Sequence, residues 1–158
     1  MKIKFQGNEF WYGTCVKYGM RMPIGPDTET ELDLTSNPTP NQEMPLLVST
    51  KGRCLWSEEG FHIRIRSGVI EVPDSYQLEE TGGGLREAYL HAMQKHFPFR
   101  GMPAENLFGR IIYNTWIELT YHQNEEDILA YAGRILESRM APGVLMIDDG
   151  WAECYGDW

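Results

Sequence analysis

Cysteine is scarce in this chain of 158 residues: Cys15, Cys54 and Cys154 are odd in number, far apart and without a C-x-x-C pair. That leaves no disulfide framework and no zinc or redox couple of ordinary spacing to expect, and all three read as buried thiols. Long hydrophobic runs are missing too. No stretch approaches the roughly 18 apolar residues of a membrane-spanning helix, and the opening Met1-Lys2-Ile3-Lys4-Phe5-Gln6-Gly7-Asn8-Glu9 has no apolar region of the kind a signal peptide needs. Positive charge is short, with 14 basic against 23 acidic side chains and a formal net charge of −9. A surface of that sign repels phosphate backbones and anionic lipid, so neither nucleic acid nor membrane is an expected partner. The one N-x-T sequence, Asn37-Pro38-Thr39, carries the proline that forbids glycosylation. From these absences a cytoplasmic chain is expected.

What is present is the composition of a globular protein, 42% apolar and 23% charged. Up to about Val72 the signals are short and strand-like. Ile3 and Phe5 alternate with lysines, Leu46-Leu47-Val48 is a compact apolar run, and Phe61-His62-Ile63-Arg64-Ile65-Arg66 alternates strictly. Between them Pro23 to Pro45 is rich in turn residues and is expected to form one long loop. The pattern predicts an antiparallel sandwich of two sheets, or a single twisted sheet covered by a helix. Leu85 to His96 has apolar positions at helical spacing, and Pro98 stops the helix. The preceding Gly82-Gly83-Gly84 lacks the spacing of a phosphate loop and reads as a hairpin-to-helix connection.

The last third changes character. Ile111 to Tyr121 is rich in β-branched and aromatic residues and reads as a strand buried on both faces, in which Glu118 would need a partner. Asn124 can cap a following helix whose first turn holds Glu125, Glu126 and Asp127 and whose apolar stripe is Ile128, Leu129, Ala132, Ile135 and Leu136. Arg134 and Arg139 suit its other end. Val144 to Ile147 follows as a second apolar strand, and strand, helix, strand with two apolar strands is the pattern of a right-handed βαβ unit in a parallel sheet. A (β/α)8 barrel takes about 250 residues, whereas 58 residues follow Arg100. The chain is therefore expected to be the front piece of a longer one, with a sandwich over 1–100 and the start of a barrel over 101–158.

Asp148 and Asp149 follow the second strand directly, at the end where parallel α/β folds bind ligands. One of them can instead cap the turn at Gly150 while the other faces solvent. They do not form an acid/base pair, because successive side chains of an extended segment point to opposite sides. Trp116 and Trp151 are either packing residues or rings that stack on a flat ligand face. The four histidines are scattered, with His91 and His96 five apart and so off the i, i+4 face of a zinc helix. Asp148-Asp149-Gly150 with Glu153 does not fill the positions of a calcium loop. No metal and no cofactor is expected.

The stretches Tyr113 to Asn124 and Pro142-Gly143-Val144-Leu145-Met146-Ile147-Asp148-Asp149-Gly150-Trp151 resemble, in order and spacing, the opening of the catalytic barrel in family 31 of the glycoside hydrolases. Glu9 to Gly13, Met22-Pro23, Gln42 to Leu47, Lys51 to Ser57 and Leu85 to Tyr89 resemble the N-terminal β-sandwich of the same enzymes. The resemblance implies a retaining α-glycosidase, of which this chain holds the sandwich and the first strand, helix and strand of the (β/α)8 TIM barrel. Retaining chemistry needs two carboxyl groups about 5–5.5 Å apart. In the family both are aspartates on later barrel strands, so no catalytic residue is expected here. The implied role of Asp148 is to accept hydrogen bonds from sugar hydroxyls, with Asp149 and Trp151 shaping the same pocket and Trp116 forming its wall. An oligosaccharide or glycoside would be the substrate, and the remaining barrel strands the natural partner. A carbohydrate-binding sandwich that does not cut sugar, or a fragment that self-associates through exposed strands, are the alternatives.

Overall fold

The computed structural model describes residues 1–35 and 43–154, so part of the loop expected between Pro23 and Pro45, Asn37-Pro38-Thr39 included, lies outside the described residues. The chain divides into two compact units, Met1–Phe99 and Arg100–Trp158. Among the described residues no helix is long and apolar enough to cross a membrane.

The described residues of the first unit form eight strands: β1 (Lys2–Lys4), β2 (Trp11–Cys15), β3 (Thr30–Leu34), β4 (Glu43–Ser49), β5 (Arg53–Trp56), β6 (Phe61–Arg66), β7 (Val69–Glu71) and β8 (Gln77–Glu80). They form two antiparallel sheets, ordered β1-β7-β6-β3 and β2-β4-β5-β8. The inner faces share one core, to which Ile3, Leu32, Phe61, Ile63 and Ile70 come from the first sheet and Trp11, Leu47 and Leu55 from the second. This is the arrangement of a β-sandwich.

The strict alternation of β6 now has its cause. Phe61, Ile63 and Ile65 are fully buried between the sheets, while His62 and Arg64 face solvent and donate to Glu31 across the β3 pairing. Hydrogen bonds from Arg64 and then His62 hold the Glu31 carboxyl down to about 2.

The expected loop between Pro23 and Pro45 is interrupted by β3, whose Leu32 and Leu34 point into the core and Glu31 and Asp33 outward. Surrounding turn residues hid five residues of clean alternation. Pro45 itself lies within β4, at a place where the register against β2 shifts between Gly13 and Thr14. A bulge is where a strand tolerates a residue with no N–H to give.

The centre of the second sheet is covered on both sides, which explains why all four residues of β5 are buried, whereas edge strand β8 has none. Leu47 and Leu55 face the first sheet, whereas Leu46, Val48, Cys54 and Trp56 pack with Ala88 and Ala92 of helix α1 (Leu85–His96). Alanine at both contact positions lets the helix lie close to the strands. The glycine run before α1 is packed closely. A Cβ on Gly83 would meet the Glu87 side chain at 2.5 Å, and one on Gly52, held at φ +70°, would meet the Gly83 carbonyl oxygen at 2.4 Å. The Gly84 N–H donates to Glu87 Oε2 at 2.9 Å and so starts the helix.

Two polar groups are buried within this apolar frame. Glu9 is fully buried and Arg53 nearly so, and Arg53 Nε donates to Glu9 Oε1 at 2.9 Å while its Nη2 donates to Glu9 Oε2 and to the Lys4 carbonyl. Near β6, Tyr76 donates its hydroxyl to the Gly60 carbonyl at 2.8 Å and accepts the His62 N–H at 2.6 Å. Tyr76→Phe removes both bonds at once and is expected to cost about 1–3 kcal/mol in urea unfolding. A cost below ~0.5 kcal/mol would mean that water replaces the hydroxyl fully.

Cys15 and Cys54 are buried, as expected, but Cys154 is exposed. Burial, with the Glu79 charge added, pushes the Cys54 thiol up to about 11.

Candidate functional site

The second unit holds strand β9 (Ile112–Asn114), helices α2 (Trp116–Leu119) and α3 (Glu125–Glu137), and strand β10 (Val144–Met146). β9 and β10 run parallel, with Ile112 opposite Val144, Tyr113 opposite Leu145 and Asn114 opposite Met146. Asn124 caps α3 through its side-chain oxygen, which accepts the Asp127 N–H at 3.0 Å, and three acidic residues occupy the first turn.

Two expectations about this unit are corrected. The strand expected over Ile111 to Tyr121 spans three residues and passes at Thr115 into α2, because the Asn114 Oδ1 accepts the Trp116 N–H at 2.6 Å and turns the chain there. Glu118 accordingly lies on the surface of α2, 47% exposed, and pairs with Arg134 of α3 at 2.5 Å. Neither strand is buried on both faces: Ile112 is 62% exposed and Met146 46%. Among the described residues β9 and β10 have only each other as ladder partners, so one edge of each is open. Ile147 lies just past the strand and is exposed as well. In α3 no residue is buried, and Leu129 and Leu136 of its apolar stripe are each 63% exposed.

The parallel pairing places the carboxyl ends of both strands side by side, and there the side chains interlock. Asp148 donates its backbone N–H to Thr115 Oγ1 at 3.0 Å, and its carboxylate accepts from Asn114 Nδ2 at 2.5 Å and from the Asp149 N–H at 2.7 Å. Thr115 is fully buried and Asn114 and Asp148 half-buried. The carboxylate is thus held from two sides with acceptor capacity remaining on each oxygen, which is the preparation a fixed acceptor needs. Gly150, at φ +86°, passes close to the Tyr121 carbonyl oxygen, which a Cβ would meet at 3.1 Å.

An open depression of about 770 Å³ lies against Asp148, Asp149 and Trp151, and among the described residues its lining runs from Met146 to Cys154. Trp151 is 55% exposed. Trp116 is outside this lining; its ring packs edge-on against Tyr121 at 4.8 Å. Three of the four residues singled out from the sequence therefore meet at one depression, and the fourth stands behind it through its N–H bond to Asn114. Asn114 and Thr115 were not singled out. The signal for them was present in position alone, since they end β9 where Asp148 follows β10.

Comparison with protein-family models gives no match to this chain, and comparison with curated protein sequences gives none.

Proposed function

We propose that this chain is the N-terminal portion of a retaining α-glycosidase, supplying Asp148 to the sugar subsite while the catalytic carboxyl pair lies on later strands of a (β/α)8 barrel. The observation that carries the reading is the pairing of β9 with β10, which sets a doubly braced aspartate at the carboxyl end of a parallel strand. Parallel α/β folds use that end for ligands. An ionised acceptor held by Asn114 and the Asp149 N–H can take hydroxyl protons of a sugar without reorganising, and such bonds tighten as the ring flattens toward the transition state.

The depression is incomplete as a sugar subsite by itself: ligand sites bury most of a ligand's surface, whereas among the described residues one continuous segment, Met146 to Cys154, lines it. The purified chain is therefore expected to hydrolyse no aryl α-glycoside and to give no saturable heat with small oligosaccharides in calorimetric titration. Hydrolysis by this chain would sink the placement of the catalytic pair, and tight oligosaccharide binding would favour the module. Joined to the remaining barrel strands, the enzyme should lose roughly 10²–10⁴-fold in kcat/KM on Asp148→Asn, the worth of one or two bonds to an ionised group. A loss below about threefold would remove Asp148 from the subsite.

A further inference from the structure

We propose that Cys54, Glu79 and His91 form a binding site for a divalent transition metal of the zinc type, clamping α1 to the second sheet of the first unit. Cys54 of β5 stands directly opposite Glu79 of β8 in the antiparallel register, so both side chains leave the sheet on the same face. That face is the one α1 covers, and His91 comes down from the helix onto it. One ligand atom from each of the three lies within 4.8 Å of the others; two ligands of a tetrahedral ion with bonds of about 2.0–2.3 Å stand about 3.3–3.8 Å apart, so the three close in by up to about 1 Å around it.

A second observation points into the same cluster. The His96 side chain is only 4% exposed and stacks on Trp56 with ring centroids 4.3 Å apart. Its Nε2 is buried with no hydrogen-bond partner among the described residues, standing 3.4 Å from Glu79 Oε1. A buried imidazole nitrogen left unsatisfied carries a desolvation cost that a metal bond, or a water on the metal, would remove. Thiolate, imidazole and carboxylate together suit zinc and its borderline neighbours over magnesium or calcium.

Binding requires two rearrangements. The Glu79–His91 hydrogen bond of 2.5 Å opens to the separation of two ligands on one ion, and the Lys95 ammonium, 2.8 Å from Glu79 Oε1, swings out to solvent along its half-exposed stem. The Cys54 proton leaves to solvent as the thiolate bonds to the ion. The spacing of His91 and His96 gave no sign of this site, because its donors are brought together by strand pairing and by the helix crossing.

The test uses the intact chain with Zn²⁺ alone and with Co²⁺ alone. The expected results are one equivalent of Zn²⁺ by calorimetry, a thiolate-to-cobalt absorption band in the Co²⁺ form, and a Tm raised by roughly 5–10 °C at a hundredfold excess over Kd. Cys54→Ser should abolish the cobalt band. His91→Ala, at a ring 40% exposed and so tolerated by the fold, should weaken Zn²⁺ by at least about tenfold and cancel the Tm rise. Cys154→Ser should change nothing. Absence of the band in the intact chain, Zn²⁺ affinity unchanged in His91→Ala, or a band that disappears with Cys154→Ser would each overturn the proposal.

Discussion

Replacing Arg53 by alanine is expected to destabilise the sandwich by about 3–5 kcal/mol at pH 7, the cost of leaving a buried carboxylate without its counter-ion. Glu9 is fully buried, with Arg53 bound to both of its oxygens and stacked at 5.1 Å over the ring of Trp11. Burial by itself pushes the Glu9 carboxyl up. Hydrogen bonds from Arg53, Ser49 and the Gln6 N–H, with the Arg53 charge, outweigh it and hold the group below its usual range.

The sign of the pH dependence follows. A carboxyl with a depressed folded pKa adds stability above its unfolded pKa of about 4.3, and that stability is lost as pH falls through the folded value. In Arg53→Ala the burial remains and the Arg53 bonds and charge are gone, leaving the Ser49 and Gln6 contacts alone against it, so the variant's penalty is largest where Glu9 should ionise. The deficit between the two proteins should therefore shrink on going from pH 7 to below about pH 4. Urea unfolding at both pH values measures it. An equal deficit at the two pH values would show that Arg53 acts through packing of its stem on Trp11 and not through charge. Replacing both partners together, Glu9→Leu with Arg53→Met, should cost much less than Arg53→Ala alone, since no orphaned charge is left.

The second large effect is expected at Gly143. A Cβ built there falls 2.0 Å from the Ile111 carbonyl oxygen, which accepts the Val144 N–H at 2.9 Å. Backbone cannot yield as a side-chain tip does, so Gly143→Ala must push the two strands apart at the first rung of the ladder. We expect a loss of about 2–4 kcal/mol in local stability. It would be read as faster hydrogen exchange at Val144 and Thr115, whose amides bond across the pair. Asp148 should lose its Thr115 and Asn114 contacts with it, because they exist only while the strand ends are level. Gly133→Ala is the control. It lies within α3 with nothing within 4 Å of the new methyl, and should stabilise the helix by about 0.5–1 kcal/mol. Unchanged exchange in Gly143→Ala would mean that the parallel pair is not held as described.

Legibility in the sequence differed between the two units for physical reasons. The helix at Leu85–His96 and the Asn124 cap were readable to the residue, because periodicity and capping are local effects. The β6 alternation was readable because that strand has one wet and one dry face. The second sheet gave only an apolar run, because strands covered on both sides have no alternation to show. Ile111 to Tyr121 misled for a different reason. Its β-branched and aromatic residues favour a strand, yet one side-chain bond from Asn114 diverts the chain into a helical turn after three residues. The place of Asp148 at the depression was readable from its position after an apolar strand, whereas the braces on it, Asn114 and Thr115, come from a segment more than thirty residues earlier.

Composition, charge sign, the kinds of element and most helix limits were thus determined by the amino-acid sequence alone, since each depends on residues within a few positions of one another. The pairing of Glu9 with Arg53, the convergence of Cys54, Glu79 and His91 beneath α1, and the bracing of Asp148 were decided only by tertiary structure. Each joins side chains far apart along the chain, and only strand register and helix packing set the distances between them.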